Sequence, residues 1–418
     1  MSIGYACVTL GVHGTAMHTC TSKNADDDTL RRITSQNLTA LDRVIDYNID
    51  NGLLLYRISS DLIPFGSHPL NRQNWQEEHA DKLLDIGRKI RKSGMRASMH
   101  PGQYTVINSP REDVVSRALD DLTYHDALLS ALGLDNRHKI VLHIGGVYEN
   151  KADAISRFKN AYSGLPESIK GRLILENDER CFSAEEVLGI ADSLGAPAVF
   201  DILHHKINPS KEQRAIGEWI ALFGNTWHHV DGRQKMHYSQ QAQRGRPGAH
   251  SETIGLTEFL AFYQTISGLD VDIMLEVKDK NLSALKCGYT AQPETMPKAG
   301  LQREWARYKY DILSRSAQIY HQMTELMRQD AKTAVMRFYG LVEAAYETFP
   351  TVGAEENAAF HVWGYFKDQS TEKDKAEFFK RLAKAVANAD FSGVRSYLYR
   401  MAERYEMDYL LNAYYFVK

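Results

Sequence analysis

Through the first 300 residues, short apolar runs alternate with longer amphipathic stretches. The apolar runs cover Ile3–Val8, Leu53–Ile58, Arg96–His100, Lys139–Ile144, Arg172–Glu176, Ala198–Leu203, Gln234–Tyr238 and Val271–Val277. Several, such as Ile140-Val141-Leu142 and Leu173-Ile174-Leu175, are apolar without alternation. Strands covered on both faces of a parallel sheet carry that pattern. Between the runs, apolar positions recur at helical spacing near Leu30–Tyr47, Gln76–Lys92, Asp113–Leu132, Lys151–Tyr162, Ala184–Leu194, Lys211–Phe223 and Thr257–Ser267. An eighth helix is expected to begin near Gln302. Eight strands, each followed by a helix, predict an α/β fold of the (β/α)8 barrel class. An open doubly wound sheet is the competing arrangement, but no GxGxxG follows the first strand and the regular repetition favours closure.

After Gly300 the pattern changes. Residues 301–418 keep helical periodicity, with few glycines and no convincing strand. They are read as an α-helical C-terminal domain following a barrel domain of residues 1–300. Tyr308, Tyr310, Tyr339, Tyr346, Tyr397, Tyr414 and Tyr415 recur mostly at helical spacing, which favours a packed bundle over a base-stacking surface.

Composition excludes several classes. With 25% charged and 43% hydrophobic residues over 418 positions, the chain is neither disordered nor a disulfide-dense miniature. No run approaches the roughly 18 apolar residues of a membrane span. Cys7, Cys20, Cys181 and Cys287 form no CxxC pair and read as free thiols of a reducing cytoplasm. The formal net charge is −3, and residues 1–300 hold 33 Lys and Arg against 37 Asp and Glu. Charge alone thus argues mildly against a nucleic-acid partner. The 16 histidines redirect the argument, because they are not scattered.

In a barrel, chemistry collects at the C-terminal strand ends. There the third strand reaches His100, the fourth His143, the fifth Glu176, the sixth Asp201 and His204, the seventh contains Lys235 and His237, and the eighth reaches Glu276. So many converging ionisable groups are expensive to bury without cations. Imidazoles with carboxylates and no thiolate suit Zn²⁺, Mn²⁺ or Fe²⁺. Their number exceeds what one ion takes, so two or three divalent ions are expected, bridged by carboxylates such as Glu176 at the spacing used in phosphoester hydrolysis. A bend must follow Asp201 if His204 is to reach the site. His205 then points elsewhere, and His228 and His229 precede strand seven near the opposite mouth. Lys235 and His237 share one strand face. A lysine beside metal ions must reach out to a phosphate, be carboxylated or deprotonated, or pair with an acid; these alternatives stay open on the sequence.

Read together, the motifs Gly4-Tyr5, Ile63-Pro64-Phe65-Gly66-Ser67-His68-Pro69, Ser98-Met99-His100-Pro101-Gly102-Gln103-Tyr104, Leu142-His143-Ile144-Gly145-Gly146, Leu175-Glu176-Asn177-Asp178, Asp201-Ile202-Leu203-His204-His205, Lys235-Met236-His237 and Arg246-Pro247-Gly248-Ala249-His250 resemble the UV damage endonuclease family. That family is a TIM barrel related to the endonuclease IV type. The resemblance implies a DNA repair enzyme that nicks immediately 5′ to UV photoproducts, with manganese the usual activator and Zn²⁺, Co²⁺ or Mg²⁺ as alternatives. It implies metal ligands His68, His100, His143, Glu176, Asp201, His204, His237, His250, Glu276 and a carboxylated Lys235. Glu176, Lys235, His237 and Glu276 form the expected catalytic set. Gln103 and Tyr104 match the pair that wedges into the duplex where the damaged dinucleotide is flipped out, and Tyr5 matches an aromatic near the damage. The expected partner is lesion-containing double-stranded DNA, with no membrane, and the chain is expected to be a cytoplasmic monomer. Competing readings are an abasic-site nuclease, a xylose-isomerase-like sugar isomerase and a non-catalytic lesion binder.

Overall fold

Asp201 marks the point where the expected sixth strand gives way to a helix, and it also closes the sheet. In the computed structural model, which describes residues 1–297 and 299–417, two units divide the chain: residues 1–8 with 15–285, and residues 9–14 with 286–418. The expected boundary near residue 300 lies inside the second unit. The first unit holds eight parallel strands: β1 (Ile3–Ala6), β2 (Leu55–Arg57), β3 (Arg96–Met99), β4 (Lys139–His143), β5 (Leu173–Glu176), β6 (Ala198–Val199), β7 (Gln234–Tyr238) and β8 (Val271–Leu275). Their order is β6-β5-β4-β3-β2-β1-β8-β7. A parallel bridge between Asp201 and His237 joins the two edges, with the His237 N–H donating to the Phe200 carbonyl at 2.9 Å. The sheet is therefore the predicted eight-stranded barrel.

The helices around it are α1 (Asp27–Asp50), α2 (Trp75–Glu78), α3 (Ala80–Ser93), α4 (Glu112–Ala131), α5 (Lys151–Ser163), α6 (Glu167–Lys170), α7 (Ala184–Leu194), α8 (Ile202–Ile207), α9 (Ile216–Gly224) and α10 (Leu256–Thr265), followed by α11 (Asn281–Ala291), in which the division between units falls. The helix after β8 is α11, not a segment beginning near Gln302. Residues 281–287 are all buried, so the sequence carries no polar stripe to reveal a helix. β1 stops at Ala6 rather than Val8 because Cys7 turns to a left-handed φ of 69°. β6 stops at Val199 rather than Leu203 because the Asp201 carboxylate accepts the His204 N–H at 2.8 Å and caps α8.

Period-two alternation builds the barrel interior in layers. Val141, Ile174 and Val199 pack together, as do Ala6, Leu55 and Met274. Two residues further along the same faces stand His143, Glu176, Asp201, Arg57 and Glu276. An apolar plug thus underlies an ionisable layer at the C-terminal mouth. Two residues in the other direction, Lys139, Arg172 and Asp272 meet Asp231, Asp126 and Arg96 in ion pairs at the opposite end.

The second unit contains α12 (Gly300–Arg315), α13 (Ala317–Leu326), α14 (Ala331–Glu347), α15 (Val352–Trp363), α16 (Glu372–Asn388), α17 (Ser392–Arg404) and α18 (Asp408–Leu411). Tyr310, Val362, Phe378, Leu398 and Tyr415 share one core. Tyr308, Tyr339, Tyr397 and Tyr414 are also buried, as core packing requires, whereas Tyr346 is exposed. Residues 9–14 belong to this unit: the His13 N–H donates to Asn412 Oδ1 at 3.1 Å. Gly11 has φ +65°, and a Cβ there would lie 2.4 Å from the Tyr414 ring, so only glycine fits. Among the described residues, no helix is long and apolar enough to cross a membrane.

Candidate metal centre

Glu176 ends β5 fully buried, and the neighbouring strands aim nitrogen donors at both of its oxygens. On Oε2 converge His100 Nε2 at 2.9 Å and His143 Nε2 at 3.3 Å. On Oε1 lies His237 Nδ1 at 2.5 Å, with His204 Nδ1 at 4.0 Å. Three groups bring ligand atoms within 4.8 Å of one another: His100, His143 and Glu176; Glu176, Asp201 and His204; and Glu176, His237 and Glu276. Glu176 belongs to all three. His250, on the strand-like bridge to Gln241, places Nε2 3.5 Å from Glu276 Oε2.

Hydrogen bonds at the rear of the rings orient the donors. His100 Nδ1 donates to the Pro101 carbonyl at 3.0 Å. Its Nε2 then faces a carboxylate oxygen, two lone pairs that require a proton or a cation between them. Burial lowers the pKa of His100, which disfavours the proton. His204 Nδ1 donates to the Asn177 carbonyl at 2.9 Å, leaving Nε2 toward Glu179 at 3.9 Å. The Asn177 side chain holds Asp201 from both sides, accepting its N–H at 2.8 Å and donating to its carbonyl at 3.0 Å. Burial, with the charges of Glu176 and Glu276, raises the Asp201 pKa. Burial also opposes charging of His204, but the Asp201, Glu176 and Glu276 carboxylates outweigh it and raise its pKa. The layer is short of positive charge.

That shortage tests whether divalent cations fit. Asp201 Oδ2 and His143 Nδ1 are buried with no hydrogen-bond partner among the described residues. A self-sufficient hydrogen-bond network would leave neither orphaned. Imidazole and carboxylate donors around one shared carboxylate suit Zn²⁺ or Mn²⁺. The residues fit such ions.

Lys235 lies below His237 on the same β7 face, fully buried, and its Nζ has no hydrogen-bond partner among the described residues. Burial, with Arg57 and Arg96 nearby, holds its amine well below the ordinary lysine range. Of the three alternatives, pairing with an acid is not what the structure contains. His205 points away as expected, packed between Phe200 and Trp219.

Two expected residues stand elsewhere. His68 is exposed in the turn after β2, accepts the Leu70 N–H at 3.1 Å, and joins none of the three ligand groups. Tyr5 is completely buried, its hydroxyl donating to Asn48 Oδ1 of α1 at 2.8 Å. Alternation along β1 turns Tyr5 to the helical layer, whereas Gly4 and Ala6 face the interior. Gln103 and Tyr104 are exposed in the loop after β3. Gln103 lines a cavity of about 360 Å³ together with His100, His143, His204, His250 and Glu276. Tyr104 is 83% exposed.

One residue was missed from sequence. Arg57, the last residue of β2, donates to His237 Nε2 at 2.9 Å and pairs with Glu276 Oε1 at 2.6 Å. An arginine inside the apolar run 53–58 was the available signal.

Comparison with known proteins agrees with this picture. Residues 2–291 match the family UV-endonuclease UvdE, and residues 309–418 match a family described as a protein of unknown function, DUF1722. A UV DNA damage endonuclease of Clostridium perfringens is 34% identical over 409 residues, covering 97% of this chain and 97% of its own. One from Bacillus velezensis is 31% identical over 273 residues, 65% of this chain and 85% of its own. The crystal structure of SacUVDE is 36% identical, with a TM-score of 0.66, and spans 69% of this chain and 97% of that one. With its barrel matched along nearly the whole first unit, the chain belongs to the UV-endonuclease UvdE family.

Proposed function

We propose that this DNA repair endonuclease is metal-dependent, and that it hydrolyses the phosphodiester immediately 5′ to UV photoproducts, cyclobutane dimers and 6-4 products, with abasic sites as further substrates. The observation that carries the reading is the sharing of Glu176 by three ligand groups at the mouth of a barrel. Bound divalent ions, two or three in number and manganese by preference, supply Lewis-acid activation of water and offset charge on the phosphate.

The chain's own residues do the rest. Glu176 offers one oxygen to the His100 and His143 side and the other to the His237 side. Asn177 and Pro101 fix the ring orientations of His204 and His100 through their carbonyls. Asp201, His250 and Glu276 complete the donor set. His68 would join it only by a movement of its turn. Burial favours the uncharged form of the unpartnered Lys235 amine, the form that reacts with carbon dioxide, and carboxylation would make it an anionic ligand; intact mass should show a labile gain of about 44 Da on this residue. Gln103 and Tyr104 fill the gap left by a flipped dinucleotide, whose extrusion costs a few kcal/mol and less at a lesion.

The test is direct. The purified protein, with Mn²⁺, is incubated with a duplex carrying one cyclobutane dimer, and the ends are mapped. Incision 5′ to the dimer is expected, leaving a 3′-hydroxyl and a 5′-phosphate. Cleavage confined to abasic sites, or isomerisation of a sugar instead, overturns the reading.

A further inference from the structure

Lys82, Lys139, Lys151, Lys206 and Lys278 each meet a carboxylate, whereas Lys23, Lys92, Lys159, Lys211 and Lys332 form no ion pair among the described residues. One stretch of the second unit gathers such unpaired lysines together. Lys367, Lys373, Lys375, Lys380 and Lys384 are exposed, and none forms an ion pair among the described residues.

Four of the five lie on α16. Its buried positions are Asp374, Phe378, Leu382 and Ala385. Lys373, Lys380 and Lys384, spaced by seven and four, fall on one line along the opposite side of the helix. At 1.5 Å per residue the ridge runs about 16 Å. Of the nearby acids, Glu372 and Asp368 are exposed without an ion pair among the described residues, and the two within the span of the ridge are committed elsewhere. Asp374 is taken by Arg404 at 2.6 Å and by the Tyr405 hydroxyl at 3.0 Å, and Glu377 by Arg381 at 2.7 Å. The ridge is therefore a row of free cations.

Such a row suits a polyanion, and α16 selects which kind. A helix lying on a membrane needs its apolar face free. Here that face is spent inside the bundle, with Phe378 stacked on Trp363 at 4.4 Å. Outside it, Phe379 and Val386 of α16 are 43% and 36% exposed, and Phe360 of α15, in ring contact with Phe379, is 41% exposed; three partly covered side chains are a small apolar face for insertion. A row of cations on a rigid helix instead suits the phosphates of a duplex strand.

We infer that Lys373, Lys380 and Lys384 form a sequence-independent DNA contact of the helical unit, separate from the barrel site. The inference rests on the reading of the chain as a DNA endonuclease. Binding to the phosphate backbone adds affinity for any duplex, damaged or not.

The experiment uses the full chain with Lys373, Lys380 and Lys384 all changed to Gln, beside a second variant with all three changed to Arg. Binding of a labelled undamaged duplex is followed by anisotropy across a salt series, in chelator to prevent incision. For the Gln variant, the slope of log affinity against log salt should fall in magnitude by about 3 and affinity at low salt roughly tenfold or more. The Arg variant should keep the parent slope. Equal melting temperature and Mn²⁺ titration in all three proteins establish that the fold and the barrel site are intact. A Gln variant with the parent slope and affinity overturns the inference while leaving the endonuclease reading untouched. A parent that incises no dimer-containing duplex overturns that reading instead. Loss of binding to phosphatidylserine vesicles with DNA binding unchanged overturns the inference in favour of a membrane surface.

Discussion

Arg57 and Glu276 form an ion pair of 2.6 Å inside the barrel, with side chains 7% and 10% exposed. The same guanidinium donates to His237. Arg57 is thus the cation that faces the carboxylate-rich layer from β2. Removing one partner of a buried pair leaves the other charge uncompensated, at a cost of about 3–5 kcal/mol. Arg57→Met should destabilise the protein by that amount in chelator. With saturating Mn²⁺ the deficit should shrink, because a cation on Glu276 replaces part of the lost charge. Urea unfolding under both conditions measures it. An equal deficit in the two would show that Glu276 does not take part in metal binding.

Glu176→Gln keeps the size of the side chain and removes the charge shared by the three ligand groups. Metal affinity should fall by at least about tenfold, the scale seen when metal-site partners are lost. Incision should drop with it, while binding to a dimer-containing duplex persists, since Gln103 and Tyr104 are untouched. Calorimetric Mn²⁺ titration and a gel-shift assay separate the two effects. A variant that incises at the parent rate removes Glu176 from the site.

Tyr104→Ala should leave stability within about 0.5 kcal/mol, as exposed positions do. Stacking of one base on an aromatic is worth about 1–3 kcal/mol. Affinity for the dimer should therefore fall about tenfold, with affinity for undamaged duplex unchanged. Competition binding reports the ratio. A ratio equal to that of the parent excludes Tyr104 from lesion recognition.

His138, just before β4, sets a pH limit unrelated to the metal site. Its Nδ1 accepts the Ala97 N–H at 3.0 Å, and burial, with Arg172 and Arg137 adding to it, lowers its pKa to about 4. The unfolded value is about 6.5. Between these values the unfolded chain holds the proton and the folded chain does not. Stability is therefore complete above pH 6.5 and falls as pH drops toward 4, by about 3 kcal/mol from this residue. His138→Gln retains an acceptor for Ala97 and should flatten that part of the profile. Denaturant midpoints at several pH values test it, and superimposable profiles would remove His138 as the cause.

Much of the site is legible from period and topology. Once eight strands are placed, His100, His143, Glu176, Asp201, His237 and Glu276 follow from the rule that strand ends converge. His204 follows from the bend that Asp201 imposes. Arg57 was hidden as the one charged residue of the otherwise apolar run 53–58. No periodicity signals that an arginine will face inward. Tyr5 shows the converse: a motif match carries a residue's identity but not the face on which alternation puts it. α11 escaped because a helix buried all round has no stripe, and the lysine ridge of α16 depends on ion pairs of Asp374 and Glu377 that no sequence pattern shows.

Residues 9–14 belong with the helical unit although they follow β1, so the chain passes between the units three times: after residue 8, after residue 14 and after residue 285. The two units are therefore not beads joined by one thread. A single cut in the region of residue 300 cannot release the helical unit whole, since Gly11 and His13 would stay with the barrel and lose Tyr414 and Asn412. Separating the contributions of the two units calls for substitutions within them rather than for truncation.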